Sequence, residues 1–203
     1  MAENRNAIEY PSPAHVVKCF FKPEMYRPDM SVNTLEDIDT ALLEQREGIH
    51  SYILDADHTL LGFNDCSIDE RVAERFNEMR KSYGLCILTN SPGYRRNKLA
   101  DHFREIDVKV IESEYLKPRL RAFNDALSYL GERPSNTSLV SDMLIDIFGA
   151  NLAGIYSVKV EPMGIEHSPL PVRAVLGVDR ALAAAARMFY SDTPERDIQK
   201  SGP

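Results

Sequence analysis

Apolar positions in this chain recur at two spacings. From His50 onward, short unbroken apolar runs alternate with segments in which apolar residues return every three or four positions. That alternation is the signature of parallel strands interleaved with helices. It predicts strands at 51–54, 85–88, 108–111, 138–140 and 155–160. Ile68, Val72, Phe76 and Met79 mark one face of a helix that Ser67 should cap, with Glu70 reaching back in a capping box, and that Gly84 should stop. A polar helix is expected at about 95–103. Leu120, Phe123, Leu127 and Leu130 line a further helix closed by Gly131, and a short one runs from Asp146 to Ala153 and stops at Gly154. Ahead of these, Leu35, Ile38 and Leu42 suggest a helix ending at Gly48. The result is a Rossmann-like α/β fold, a central parallel sheet with helices on both faces. With no repeat and no Pro-rich or Gly-rich linker, it reads as a single domain over 14–192 between polar tails at 1–13 and 193–203.

Composition narrows the class. A chain of 203 residues, 43% of them hydrophobic, can bury a sizeable core. A net charge of −7 argues against nucleic acid as a partner, because phosphate backbones are held by basic surfaces. Cys19, Cys66 and Cys86 are too few and too scattered for a disulfide framework or a zinc site. The first ten residues lack the apolar core of a signal peptide, and no stretch is apolar enough to span a bilayer. The expectation is a cytoplasmic protein, with a peripheral place on the inner face of a membrane as the alternative.

Ligands of an open parallel sheet collect beyond the carboxyl ends of its strands. The conspicuous polar residues fall there: Asp55 and Asp57 after the first strand, Thr89 and Asn90 after the second, Lys117 before a helix, Asp142 and Asp146 after the fourth. Two aspartates one residue apart, just past a strand, offer a nucleophile beside an acid. Singly, each residue has a plainer role as a cap, a turn residue or a solvated side chain. In order and on successive strand ends, they favour catalysis.

Asp55-Ala56-Asp57-His58-Thr59 resembles the D-x-D-x-T signature of haloacid dehalogenase phosphatases. Thr89, Lys117 beside Pro118, and Ser141-Asp142 with Asp146 resemble that superfamily's later motifs in order. The resemblance, to the capless IIIA subfamily, implies roles. Asp55 would be phosphorylated, Asp57 would act as general acid and base, and Thr89 and Lys117 would hold phosphoryl oxygens. Thr59 and Asn90 would contact substrate, and Asp55, Asp57, Asp142 and Asp146 would ligate Mg2+. A narrower resemblance over roughly Phe20 to Val160 is to the phosphatidylglycerophosphate phosphatases of bacteria and mitochondria. It rests on Pro23, Tyr26, Gly48-Ile49, Lys117-Pro118 with Ala122-Phe123, and Gly149-Ala150-Asn151 with Gly154. It implies a phospholipid phosphate substrate and peripheral contact with a membrane. This chain departs from that pattern in having His58 for asparagine, Ser141 for glycine, and a shorter gap between the acids of the last motif.

Neither the interval from Thr59 to Thr89 nor that from Asn90 to Lys117 holds a cap domain, which suits a substrate whose bulk stays outside. Arg173, Arg180 and Arg187, seven residues apart, and the mixed segment Val16 to Lys22 are candidate membrane contacts, with a solvated face and a core-packing segment the favoured roles. Arg95 and Arg96 could meet an anionic head group, with surface solvation the plainer role. Two alternatives remain: an uncapped phosphatase for a soluble ester or phosphoprotein, and a catalytically silent scaffold.

Overall fold

The structure, a computed structural model, describes residues 12, 14, 18–19, 21–62, 65 and 67–190, and in the last helix the side chains of 180 and 182–190 are not described. The expected tails at 1–13 and 193–203 lie outside the described residues apart from Ser12, and so do Val16, Val17 and Phe20.

The central strand, β2 (Ser51–Leu54), is buried at every position, so neither face can be polar. Tyr52 and Leu54 point into one apolar cluster and Ile53 into another, as the two-residue period of a strand requires. Around it lie β1 (Met30–Ser31), β3 (Gly84–Ile87), β4 (Lys109–Val110), β5 (Thr137–Ser141) and β6 (Tyr156–Lys159). The sheet order is β1-β6-β5-β2-β3-β4, and every pairing is parallel. From Thr40 to Tyr190 the described helices are α1 (Thr40–Glu47), α2 (Glu70–Ser82), α3 (Gly93–Glu105), α4 (Leu120–Leu130), α5 (Leu144–Ala153) and α6 (Leu170–Tyr190). Val72, Phe76 and Met79 of α2 and Leu99 and Phe103 of α3 cover the Tyr52 face. Phe123, Ala126 and Leu127 of α4 and Ala150 and Ala153 of α5 cover the Ile53 face. This is the expected Rossmann-like α/β arrangement, and no cap domain interrupts the described chain between β2 and α5.

Several boundaries differ from the expectation for identifiable reasons. Asp69, not Ser67, caps α2: its Oδ1 accepts from the Arg71 N–H at 3.0 Å, and its carboxylate pairs with the Arg71 side chain. Gly84 does not stop that helix. It opens β3, where a Cβ would lie 2.4 Å from Ser51 Oγ on the neighbouring strand. The helix expected from Leu35 to Gly48 is divided into a 3-10 turn, Leu35–Asp37, and α1. The break falls at Asp39, whose Oδ1 accepts from the Leu42 N–H at 2.9 Å and starts α1 afresh. The sixth strand, β1, went unforeseen because two residues are too short to show a period. Asp29 secures it: Oδ2 accepts from the N–H and hydroxyl of Ser157 on β6, at 2.8 and 2.9 Å.

Candidate active site

The chain leaves β2 toward β3 and β4 on one side and returns through β5 and β6 on the other. The order therefore reverses between β2 and β5, where an open parallel sheet has its ligand crevice. Asp55 follows β2 and Asp142 follows β5, and Asp55 is tied across the crevice by its N–H to the Val140 carbonyl at 2.9 Å.

Lys117 closes a buried three-residue knot there. Its Nζ lies 2.6 Å from Asp55 Oδ1 and 2.7 Å from Asp146 Oδ2, and the Lys117 side chain is 1% exposed. Ser141 Oγ donates to the same Asp146 oxygen at 2.9 Å. Asn90 sets the lysine's place: its Oδ1 accepts from the Lys117 N–H at 2.8 Å and its Nδ2 donates to the Lys117 carbonyl at 3.1 Å. The Lys117-Pro118 peptide is cis. Pro118 packs against Gly149 of α5, where a Cβ would come within 2.8 Å of Pro118 Cβ and 2.7 Å of Phe123 Cε2.

Asp57 lies two residues beyond Asp55 and is half-buried. Ser91 Oγ donates to its Oδ2 at 2.5 Å, and the guanidinium of Arg95 pairs with its Oδ1. Thr89 is buried behind Ser91; its Oγ1 accepts from the Ser91 N–H at 3.1 Å and donates to Ser91 Oγ at 3.2 Å. His58 has a left-handed backbone, φ 61°, and its ring Nδ1 is 2.7 Å from the Met163 carbonyl. The Met163 N–H donates back to the His58 carbonyl at 2.8 Å, so the loop after β2 is closed onto the loop after β6. Thr59 is buried, with no partner for its Oγ1.

Asp142 and its backbone are supported from behind. Lys159, buried at the end of β6, donates its Nζ to the Asp142 carbonyl and faces Asp179 Oδ2 at 3.7 Å. Asp179, on α6, accepts from the Leu144 N–H at 2.8 Å. Sequence reasoning placed Asp55, Asp57, Thr89, Asn90, Lys117, Asp142 and Asp146, and the fold brings them to one crevice. It missed Ser91, Lys159 and Asp179, and gave Arg95 to solvent. The available signals were a lysine closing an apolar strand and a serine two residues past the threonine motif.

Burial raises the pKa of Asp55 to about 6, with Asp146 and Asp57 adding to the rise and Lys117 opposing it. Burial also pushes Asp142 well up, and the negative charges of Asp55 and Asp146 push it further. For Lys117, burial acts downward, but Asp146 and Asp55 outweigh it and hold the ammonium protonated. Asp142 Oδ2 is buried and has no hydrogen-bond partner. An orphaned carboxylate oxygen among like charges fits a divalent cation. Among the described residues no three His, Cys, Asp or Glu side chains close around one point, but magnesium keeps several waters and needs only one or two carboxylates. The residues present therefore fit the ion.

A parallel sheet carrying a D-x-D-x-T run at the end of its central strand, with the remaining motifs gathered at the same switch point, is that of a haloacid dehalogenase-type phosphatase. The family described as mitochondrial PGP phosphatase, PGP being phosphatidylglycerophosphate, matches residues 12–165, and the chain belongs to that family. It is thus a phosphatase, a phosphoric monoester hydrolase. No curated protein matches the chain. A solved structure of an uncharacterized protein from Corynebacterium glutamicum is similar, with 21% identity and a TM-score of 0.46, over 64% of this chain and 96% of that one. Among the described residues no helix is long and apolar enough to cross a membrane.

Proposed function

We propose that this protein removes the terminal phosphate of phosphatidylglycerophosphate, giving phosphatidylglycerol, through an aspartyl phosphate on Asp55. The observation that carries the reading is the buried knot of Lys117 with Asp55 and Asp146, because it holds a carboxylate for attack while leaving Asp55 Oδ2 outside the Lys117 contact. Family membership supports the substrate.

Asp55 would attack phosphorus, dividing one difficult hydrolysis into two displacements. Asp57 would protonate the leaving alkoxide and then take a proton from the water that releases phosphate. Lys117 would meet the phosphoryl oxygens and lower the repulsion between them and Asp55. Thr89 would reach the same oxygens by turning its hydroxyl from Ser91. Asn90, which holds both backbone groups of Lys117, would fix the lysine's position at the substrate. Thr59, with a partnerless hydroxyl, is a further donor on the nucleophile loop. Asp55, Asp142 and the Asp57 carbonyl would hold magnesium, and Asp146, already engaged by Lys117 and Ser141, would act on it through water. When bound, the ion would neutralise phosphoryl charge beside three carboxylates.

The test is phosphate release from phosphatidylglycerophosphate in mixed micelles with magnesium, against glycerol phosphate and against Asp55→Asn. The asparagine still accepts from Lys117, so folding is kept while the nucleophile is lost. Turnover that prefers the lipid and falls at least ~1000-fold in the variant is expected, since covalent catalysis is then removed. Asp55-dependent hydrolysis confined to the soluble ester would remove the lipid and keep the chemistry.

A further inference from the structure

Asp57 is gripped at both oxygens, by a side chain of the loop before α3 and by one from the first turn of that helix. Arg95 is 7% exposed, in the first turn of α3. Its guanidinium pairs with Asp57 Oδ1 and donates from Nη2 to the Asp65 carbonyl at 3.0 Å. Ser91 Oγ lies 2.5 Å from Asp57 Oδ2, and because an ionised carboxylate oxygen only accepts, the Ser91 hydroxyl donates to it whichever way Thr89 turns. A buried guanidinium at a phosphatase mouth has two obvious uses: to bind a second anionic group of the substrate, or to orient the acid. Burial and the two contacts inside the protein favour the second, because a head-group ligand has to face the solvent from which the lipid arrives.

We propose that Arg95 and Ser91 are positioning residues that hold the Asp57 carboxyl where it meets the leaving oxygen. The proposal rests on Asp57 being the general acid. As an Asp55 oxygen bonds to phosphorus, the phosphorus–ester oxygen bond breaks, and its electron pair takes the proton of the Asp57 carboxylic acid. The products are the free alcohol, phosphorylated Asp55 and an Asp57 carboxylate, and Arg95 is the charge partner of that new anion. Asp57 then takes a proton from water as the water oxygen displaces Asp55 from phosphorus, and phosphate leaves. Without the grip, the side chain turns about its own bonds and the proton is delivered from fewer of its conformations.

Leaving-group dependence separates this role from a structural one. An alkoxide needs a proton to depart, whereas p-nitrophenolate departs without one. The ratio kcat/KM reports events only through departure of the alcohol, so later breakdown of the phosphoenzyme does not enter. The comparison uses p-nitrophenyl phosphate and whichever alkyl ester the native protein turns over faster, phosphatidylglycerophosphate in micelles or glycerol phosphate. Arg95→Met is expected to lower kcat/KM on the alkyl ester by ~100-fold and on p-nitrophenyl phosphate by less than ~5-fold, the scale of a general-acid contribution. Arg95→Lys should recover part of the loss, and Ser91→Ala should show the same bias more weakly. If Arg95→Met does not fold, these two milder variants carry the test alone. Equal losses on both esters, or a raised KM with kcat kept, would overturn the assignment. Asp57→Asn separates the two failures: if it shows the leaving-group bias and the Arg95 and Ser91 variants do not, only the positioning role falls. If Asp57→Asn lacks the bias, the general-acid reading itself falls.

Discussion

The Asp142 carboxylate is buried and has an oxygen without a partner, while Asp55 and Asp146 add negative charge around it. Protons and a divalent cation are alternative ways to relieve that situation, so they compete. Asp55, with its pKa raised to about 6, binds more protons folded than unfolded between the ordinary carboxylate pKa and that value. Its contribution to stability therefore falls as pH rises through that window, and a cation that needs the ionised form should restore it. Magnesium is thus expected to raise the melting temperature more near pH ~8 than near pH ~5, measured as thermal unfolding with and without the ion. Equal shifts at both pH values would place the ion away from these carboxylates. At this scale Asp55 and Asp142 were legible because each lies at or just past the end of an apolar run, whereas Lys117 and Asp146 were legible only as members of motifs taken in order. Arg95 was not, because nothing in sequence spacing tells a buried guanidinium from a solvated one. His58 is intelligible only with the backbone in view. Its φ of 61° lies in the left-handed region, which asparagine and histidine both tolerate better than most side chains. The family's usual asparagine and this histidine therefore suit the same turn.

Among the elements, α5 carries a constraint that reaches the site through packing. Gly149 faces Pro118 and Phe123 so closely that a Cβ would meet Pro118 Cβ at 2.8 Å and the Pro118 carbonyl oxygen at 3.0 Å. A methyl group there has to push the segment that presents Lys117, and backbone cannot give way as a flexible side chain does. Gly149→Ala is expected to cost about 1–3 kcal/mol of stability and to lower turnover more than magnesium-induced stabilisation. Parallel melting curves and initial rates would check it, and unchanged rates in a destabilised variant would mean that Lys117 does not move. The glycine was visible in the sequence as part of a resemblance, but its reason was not, because Pro118 and Gly149 meet only in the fold. Helix ends were read well where a glycine must adopt a left-handed backbone, as at Gly48, Gly131 and Gly154. They were read less well where two polar residues compete for one cap, as Ser67 and Asp69 do. The carboxylate prevailed because it also pairs with Arg71.

For the whole molecule, the candidate site residues gather at one end of the sheet, and no cap domain covers them among the described residues. Two large apolar side chains border that end. Tyr94, 72% exposed, precedes Arg95, and Leu116, 52% exposed, precedes Lys117. The start of α3 and the segment carrying Leu116 are joined by the Asn90–Lys117 hydrogen bonds and by Arg96 Nη1 donating to the Ser113 carbonyl at 3.2 Å. Exposed apolar side chains are ordinary singly, but beside a phosphate site they are of use to an enzyme whose substrate stands in a bilayer. Burying both in the interface would add affinity of about 1.5–3 kcal/mol for each fully transferred side chain. The double variant Tyr94→Ser with Leu116→Ser should therefore lower turnover of phosphatidylglycerophosphate in vesicles by ~10-fold or more, while p-nitrophenyl phosphate hydrolysis stays within ~2-fold. Sedimentation with vesicles free of substrate separates binding from catalysis: a variant that sediments like the native protein yet turns over lipid slowly would put these residues at the substrate instead of the membrane. Loss of both sedimentation and lipid turnover, with the soluble ester untouched, would make the rim of the mouth the surface through which this phosphatase reaches its lipid.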